Sequence, residues 1–202
     1  NGPDQGLPAG ASTGSISLWF NCPGGVTDKV LFAYGTPQVG QARGLWLVDH
    51  DTLCFYFWGH PADLHADVPG GVIANRWHHV VSTYDGTTAR LYYDGSLIGK
   101  VNTQINTVLN GSFHVGANLN EHRRDFLGCI DDVVVFNRVL RAEEIRYAYA
   151  GVNASVSPLG LEEQAEILVR IEKLGIGDLV FAVRQPGRDG HWYANFGYWV
   201  TD

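Results

Sequence analysis

The stretch RWHHVVSTYDGTTARLYYDGSLIGK, residues 76–100, decides the fold. Val80, Ser82 and Tyr84 alternate with the residues between them, so successive side chains fall on opposite faces, as in a β-strand. The pairs Asp85-Gly86 and Asp94-Gly95 separate three such runs. Glycine adopts the positive φ that tight hairpin turns require, so each pair indicates a turn. The stretch therefore predicts a three-stranded antiparallel meander over residues 77–84, 88–94 and 96–101.

Similar runs flank this meander on both sides. Strands are predicted at residues 14–21, 30–34, 44–50, 52–58, 112–117 and 126–137, and a short helix at 140–149. In the run 52–58 both faces are apolar or amphipathic, which suits a strand inside a two-sheet sandwich. Residues 59–75 form the longest irregular stretch before the meander. The predicted core between the sheets contains Trp19, Phe32, Trp77, Val81, Leu91 and Ile130.

Several motifs together resemble laminin-G-like, concanavalin-A-like jelly-roll domains. They are Trp77-His78-His79-Val80, the two Asp-Gly turns, Phe113-His114-Val115-Gly116, the segment FLGCIDDV at 126–133 and Phe136-Asn137-Arg138. The resemblance covers about residues 14–151. It implies an all-β fold: an antiparallel two-sheet jelly-roll sandwich of about a dozen strands, followed by a short C-terminal helix-strand appendix.

The domain boundary is expected at Gly151, where the resemblance stops. Residues 1–151 are predicted to form the jelly roll, with its core at about 14–150. Residues 152–202 are predicted to contain a linker, a helix with an apolar stripe from Leu161 to Leu174, a strand at 178–184 and a segment rich in aromatic residues. That last segment resembles the opening of a β-propeller in secreted bacterial proteins related to the hydrazine synthase alpha subunit. We therefore expect a piece of a larger secreted multidomain protein.

Composition narrows the class of protein. The chain has 202 residues, 45% of them hydrophobic and 17% charged, with a formal net charge of −7. This is typical of a globular domain with a real core. The acidic balance, without a Lys/Arg cluster, argues against nucleic acid as a partner, and no apolar run is long enough for a membrane span. Methionine is absent even at position 1, which predicts an excised or processed chain, and a secreted, periplasmic or cell-surface location is expected.

The three cysteines, Cys22, Cys54 and Cys129, lack the spacing of a metal site. All three sit in or beside predicted strands. They are either buried thiols that pack as small apolar residues, or one disulfide with one thiol left over.

Catalysis is not expected. Glucanases that share this sandwich fold carry paired carboxylates in an E-x-D-x-x-E strand, and that pattern does not occur. Relatives of the fold often hold calcium with an aspartate of the closing strand, and Asp131, with Asp132 beside it, stands at the matching place. The cofactor prediction is therefore calcium or none; in the alternative, these carboxylates accept backbone N–H groups. The loop residues His60, Asp63, His65 and Asp67 carry possible metal ligands, but their spacing does not place them on one centre.

Sugar recognition needs aromatic faces beside planar polar side chains. The candidate platforms are Trp46, Tyr56, Trp58 and Tyr93; His60 is a further ligand-binding candidate, and Asn118, Asn120, His122, Arg123 and Arg124 form the candidate polar rim. Any of these aromatic residues can instead belong to the core. The sequence thus predicts a non-catalytic module that binds a carbohydrate or glycoconjugate. The alternative is a structural or protein-interaction domain that docks on the rest of its own parent chain.

Overall fold

Two antiparallel β-sheets packed face to face make up the domain. The computed structural model describes residues 2–120 and 124–153, together with the backbone of Val180 and Phe181. One sheet has six strands and the other five. The side chains between them form one large apolar core. This arrangement confirms the predicted all-β sandwich.

The strands are numbered in the order in which they occur in the chain. They are β1 (Gly14–Asn21), β2 (Lys29–Gly35), β3 (Ala42–Leu47), β4 (Thr52–Tyr56), β5 (Leu64–Asp67), β6 (His78–Tyr84), β7 (Thr88–Tyr93), β8 (Ser96–Asn102), β9 (Phe113–Val115), β10 (Cys129–Phe136) and β11 (Val180–Phe181), with one helix, α1 (Ala142–Asn153), in the described residues. The six-stranded sheet has the order β11-β10-β1-β6-β7-β8, and the five-stranded sheet has the order β5-β4-β3-β2-β9.

The predicted meander is strands β6, β7 and β8, and both Asp-Gly turns connect them as expected. In the first turn one carboxylate oxygen of Asp85 accepts hydrogen bonds from the backbone N–H groups of Thr87 and Thr88. In the second turn Asp94 and Gly95 both have positive φ, 45° and 78°. Such local hydrogen bonds and positive φ values fix the register of a hairpin.

The core prediction is right for some residues and wrong for others. Phe32 and Leu91 lie between the sheets, and Ile130 packs against them. Trp19 and Val81 are buried, but on the outer face of the six-stranded sheet, because period two places them opposite Leu18 and Val80. Trp77 precedes β6 and is partly exposed, so it is not a core residue.

The outer face of the six-stranded sheet is covered by α1. Ile145 of this helix is fully buried and packs with Leu140, Val81 and Tyr92. The Trp19 ring lies between His79 and Tyr149, at 4.9 and 5.9 Å between ring centroids. This face of the sandwich is therefore filled by the chain itself. Within the described residues no helix has the length and apolar character to cross a membrane.

Two further expectations need correction. Residues 59–75 are not wholly irregular, because Leu64–Asp67 pairs with β4 as an edge strand. Cys22 and Cys54 are buried free thiols, which is one of the two predicted alternatives, whereas Cys129 is an exposed free thiol.

The C-terminal appendix is described only in part. Val180 and Phe181 pair with Val135 and Val134 of β10, within the strand predicted at 178–184. The predicted helix from Leu161 to Leu174 and the aromatic segment lie outside the described residues.

Candidate functional site

The outer face of the five-stranded sheet carries a second apolar cluster. Strand pairing places Val30, Trp46, Cys54 and His65 side by side across β2, β3, β4 and β5. All belong to the set of positions that alternate with the core residues, so they point away from the sandwich interior. Around this row, Val30, Ala33, Cys54 and Tyr56 are buried, and Trp46, Val48, Trp58 and Leu119 pack against them.

Aromatic rings form the floor of a cleft on this face. Trp46 and Tyr56 meet edge to face with centroids 6.4 Å apart, and Tyr56 and Trp58 lie 6.2 Å apart. The cleft has a volume of about 330 Å³, which is within the usual range for a small-ligand pocket. Its lining residues are Val30, Trp46, Tyr56, Trp58, Gly59, Asp63, Asn118, Asn120 and Arg124.

Gly44 of β3 allows the Tyr56 ring to lie against the sheet. The two residues are directly paired across β3 and β4. A Cβ atom at position 44 would lie 2.6 Å from Tyr56 Oη and closer still to the adjacent ring carbons. A glycine inside a strand is typical of such a close approach. The absence of a side chain at Gly44 therefore gives the Tyr56 ring the space in which it packs.

A tight turn after β4 forms one wall of the cleft. Trp58 has a φ of 61° and Gly59 a φ of 73°. For a tryptophan this left-handed conformation is strained and must be held by its surroundings. The carboxylate of Asp63 holds it, because it accepts hydrogen bonds from the N–H groups of Phe57 (2.6 Å) and Gly59 (3.0 Å). Burial raises the pKa of Asp63, and these two amides oppose that rise.

Two buried polar atoms of the cleft residues have no partner in the described part of the chain. They are the phenol oxygen of Tyr56 and the indole Nε1 of Trp46. Burial raises the pKa of the Tyr56 phenol far above its usual value, so the phenol keeps its proton and can donate. Buried polar groups in proteins almost always have a hydrogen-bond partner, so these two atoms are exceptions, and neither is exposed to solvent in the cleft.

Arg124 brings a charge to the cleft, but the protein itself compensates that charge. Its guanidinium lies over the Trp46 ring, 4.9 Å from the centroid, and its Nε is 2.9 Å from a carboxylate oxygen of Asp28. The described charged groups at the cleft are thus one paired cation and the carboxylate of Asp63. The planar guanidinium extends the aromatic surface rather than presenting an uncompensated positive charge.

The structure brings together six of the sequence candidates: Trp46, Tyr56, Trp58, Asn118, Asn120 and Arg124 all line this cleft. Tyr93 does not belong with them. It lies in the core of the sandwich, 7% exposed, and its phenol shares a 2.6 Å hydrogen bond with Nδ1 of His78. His60 lies within the same turn, between Gly59 and Asp63, and lines a neighbouring cleft. His122 and Arg123 are outside the described residues.

Asp131 and Asp132 lie near the start of β10. One carboxylate oxygen of Asp131 accepts the backbone N–H of Asp132 at 3.0 Å, and Asp132 has a positive φ of 47°. The Asp131 carboxylate thus accepts a backbone N–H group, as in the alternative to calcium binding. In the described ranges no three His, Cys, Asp or Glu side chains converge as metal ligands, and this includes the run from His60 to Asp67. Calcium also accepts backbone carbonyls, so calcium binding at Asp131 stays a prediction.

Sequence reasoning misses two residues that shape the cleft. Gly44 carries a signal, since a lone glycine in a strand pattern indicates that another group approaches the backbone. The sequence indicates Asp63 only as a candidate metal ligand. Its actual role depends on a turn that places its carboxylate against two amides, and no sequence pattern specifies that turn.

Solved structures share the fold at low identity. Domain 4 of AbnA, a GH43 extracellular arabinanase from Geobacillus stearothermophilus in complex with arabinotriose, is 19% identical, with a TM-score of 0.53; 70% of this chain and 68% of that chain are covered. The CBM40 of the Ruminococcus gnavus IT-sialidase bound to α2,3-sialyllactose is 14% identical, with a TM-score of 0.55; coverage is 68% and 83%. A putative carbohydrate-binding protein from Bacteroides ovatus is 17% identical, with a TM-score of 0.52; coverage is 69% and 42%.

The family assignment rests on the sequence itself. No curated protein matches the chain. Residues 3–146, which include every strand from β1 to β10, match the laminin G family model of the concanavalin A-like lectin/glucanases superfamily. The chain therefore belongs to the concanavalin A-like lectin/glucanases superfamily.

Proposed function

We propose that this domain is a non-catalytic module that binds a neutral carbohydrate in the cleft formed by Trp46, Tyr56 and Trp58. The observation that carries the proposal is a cleft whose lining combines the rings of Trp46, Tyr56 and Trp58 with the side chains of Asn118 and Asn120. A sugar matches this lining, since its C–H faces stack on aromatic rings and its hydroxyls exchange hydrogen bonds with side-chain amides.

The size of the cleft suits one sugar ring. Its volume of about 330 Å³ equals that of roughly eleven water molecules, at about 30 Å³ each. That is enough space for at least one monosaccharide unit with its hydroxyls.

The charges favour a neutral ligand. Arg124 is already paired with Asp28, and Asp63 adds a negative charge to the lining. A ligand carboxylate in the cleft would be repelled by Asp63 without meeting an uncompensated cation among the described residues. Among the structural neighbours, the arabinanase domain holds the neutral arabinotriose and the CBM40 holds the acidic sialyllactose. We place this domain with the former in ligand class.

The test is a glycan array followed by calorimetry with conservative variants. Trp58→Ala removes one ring of the lining and Asn120→Ala removes one amide, so each is expected to weaken binding at least about fivefold, the value of one neutral hydrogen bond. Tyr147→Ala, which removes an exposed ring on α1, is the matched control for Trp58→Ala. Absence of binding to any neutral glycan, or equal affinity of Trp58→Ala and wild type, would refute the proposal.

A second function, docking on the rest of a parent chain, is supported by one observation. The backbone of Val180 and Phe181 adds a strand to the edge of β10, so the segment after the family domain contacts the jelly roll. On this alternative the domain is a structural unit of a secreted, periplasmic or cell-surface protein, and the aromatic segment opens the following propeller-like domain. Resistance of the C-terminal segment to proteolysis favours this function.

A further inference from the structure

The turn between β4 and β5 keeps the Trp58 ring in the lining of the aromatic cleft. Strand β4 ends at Tyr56 and its partner β5 begins at Leu64, so residues 57–63 must reverse the chain. Within this reversal Trp58 has a positive φ of 61°, and its side chain lines the cleft. A tryptophan rarely adopts a left-handed conformation, because its Cβ crowds the backbone there. The ring therefore keeps its place only while other groups hold the backbone of the turn.

Asp63 holds this turn through both of its carboxylate oxygens. Its Oδ1 accepts the N–H of Phe57 at 2.6 Å, and its Oδ2 accepts the N–H of Gly59 at 3.0 Å. These two amides lie on either side of Trp58, so the carboxylate bridges the residue whose φ is positive. The N–H of Asp63 donates to the His60 carbonyl at 2.8 Å, which fixes the acid in the same turn. Because each oxygen has its own amide, a side chain with one acceptor oxygen does not replace both.

The residue before Trp58 is anchored in the core of the sandwich. Phe57 is fully buried, and its ring meets that of Phe55 edge to face with centroids 4.6 Å apart. Its carbonyl accepts the N–H of Gly40 at 2.8 Å. Because the core holds this end of the turn, a change at Asp63 acts on the backbone of Trp58 rather than on the packing of the two sheets. The wall of the cleft can therefore change conformation while the fold persists.

We infer that Asp63 is the positioning residue of the aromatic cleft: both carboxylate oxygens are needed to keep Trp58 left-handed, and loss of either one lowers ligand affinity while the sandwich stays folded. The inference rests on the proposed function and names the residue that controls its site. Asp63 lines the cleft, but two amides engage its carboxylate, so it acts on the ligand through Trp58. When the fraction of molecules with the ring in place falls, the apparent affinity falls by the same factor.

Protonation removes one acceptor oxygen without a mutation. Burial raises the pKa of the Asp63 carboxyl, and the two amides, His65 and His60 oppose that rise. The other titratable or charged groups around this carboxyl are Cys54, Tyr56 and Arg124. A carboxyl whose pKa is higher in the folded than in the unfolded chain increases the free energy of unfolding as the pH falls through its pKa. Protonation of Asp63 by itself therefore does not unfold the domain, although it takes an acceptor from the turn.

The experiment compares Asp63→Asn with Asp4→Asn on the neutral glycans of the array. Asp63→Asn keeps the shape of the side chain and leaves one acceptor oxygen for two amides. Asp4→Asn is the matched control, because the Asp4 carboxylate also accepts two backbone amides, those of Asn110 and Gly111, and does not line the cleft. Asp63→Asn is expected to lower the affinity about tenfold, the value of a hydrogen bond to a charged group, and Asp4→Asn to leave it unchanged.

NMR of the free protein supplies a measurement that needs no ligand. The three-bond coupling between the amide and α protons of Trp58 reports its φ, and the amide signals of β6 and β7 report the fold. The coupling is expected to leave its left-handed value in Asp63→Asn, and in the wild type as the pH falls from about 7 to about 4, with the signals of β6 and β7 retained. In Asp63→Asn the coupling should no longer respond to pH. If this variant does not fold, the titration of the wild type decides.

The outcomes separate this inference from the proposed function. A Trp58 coupling that is unchanged in Asp63→Asn, or in the wild type at low pH where that titration decides, overturns the inference alone. Equal glycan affinities of Asp63→Asn and wild type, or equal losses in Asp63→Asn and Asp4→Asn, overturn it as well. If no neutral glycan binds the wild type, the proposed function fails and the inferred control of affinity fails with it, whatever the coupling shows.

Discussion

Gly44→Ala is the change that probes the cleft most directly, because it adds one carbon atom beneath the Tyr56 ring. The new Cβ would lie 2.6 Å from Tyr56 Oη and nearer to two ring carbons. Real Cβ atoms do not approach other heavy atoms so closely, so the ring must tilt away from β3 into the cleft. The variant is therefore expected to lose sugar binding and stability together.

The stability change follows from two opposing effects. Overpacking a tightly packed site costs about 1–3 kcal/mol, and replacing a strand glycine by alanine recovers about 0.5–1 kcal/mol. The expected net loss in the free energy of unfolding is about 1 kcal/mol, within a range of roughly 0–2.5 kcal/mol. For a domain of this size, a loss of about 1 kcal/mol corresponds to a fall in Tm of about 2–4 °C, measurable by calorimetric unfolding.

A double-mutant cycle with Tyr56→Ala isolates the cause. Once the ring is gone the extra carbon has no clash, so Gly44→Ala should cost nothing in the Tyr56→Ala background, and the two changes should be strongly non-additive. Gly24→Ala is the control, since a Cβ there would make only an ordinary contact of 3.6 Å with Ala74. If Gly44→Ala matches Gly24→Ala in stability and still binds sugar, the explanation of the cleft is wrong.

Three other predictions follow from groups outside the cleft. Burial lowers the pKa of His79 from 6.5 to about 4, so the unfolded chain binds the proton more tightly than the folded chain. The free energy of unfolding should therefore fall by roughly 3 kcal/mol as the pH drops from 6.5 to 4. His79→Gln should flatten this pH dependence in chemical denaturation. If Asp131 binds calcium, chelation should lower the Tm of metal-loaded protein and Asp131→Ala should abolish the effect; equal Tm values with and without chelator would leave only the backbone hydrogen bond. Limited proteolysis should leave the segment after Gly151 attached if it packs on β10, and its early loss from a stable monomer would favour an autonomous sugar-binding module.

Much of the fold is predictable because its determinants are local. The Asp-Gly pairs fix both turns of the β6–β8 meander, and the period-two pattern of the sequence by itself separates Leu53 and Phe55 from Cys54 and Tyr56. Strand β5 is not predicted from the sequence, because it has only four residues and its sequence LHAD lies in a stretch rich in glycine and proline. Such an edge strand forms through pairing with β4 rather than through its own propensity.

The candidate site is harder to predict, because it depends on which sheet and which face a residue occupies. Trp46, Tyr56 and Tyr93 look equivalent in sequence: each is an aromatic residue in a predicted strand. Only the pairing of β4 with β3 puts the first two together, while the pairing of β7 with β6 places Tyr93 against His78 in the core. Long-range pairing of this kind is not encoded in a local pattern.

The two outer faces of the sandwich differ in how far the described residues cover them, and this difference explains the position of the cleft. Each face carries apolar residues that alternate with the core, so each needs a cover. On the six-stranded sheet the chain supplies that cover as α1, whose Ile145 is completely buried. On the five-stranded sheet, the described residues leave a cleft between the aromatic cluster and Arg124, with two hydrogen-bonding groups unmet. Where the described residues leave an apolar face uncovered, the proposed function expects a ligand that combines C–H surfaces with hydroxyls, and a glycan has that chemistry.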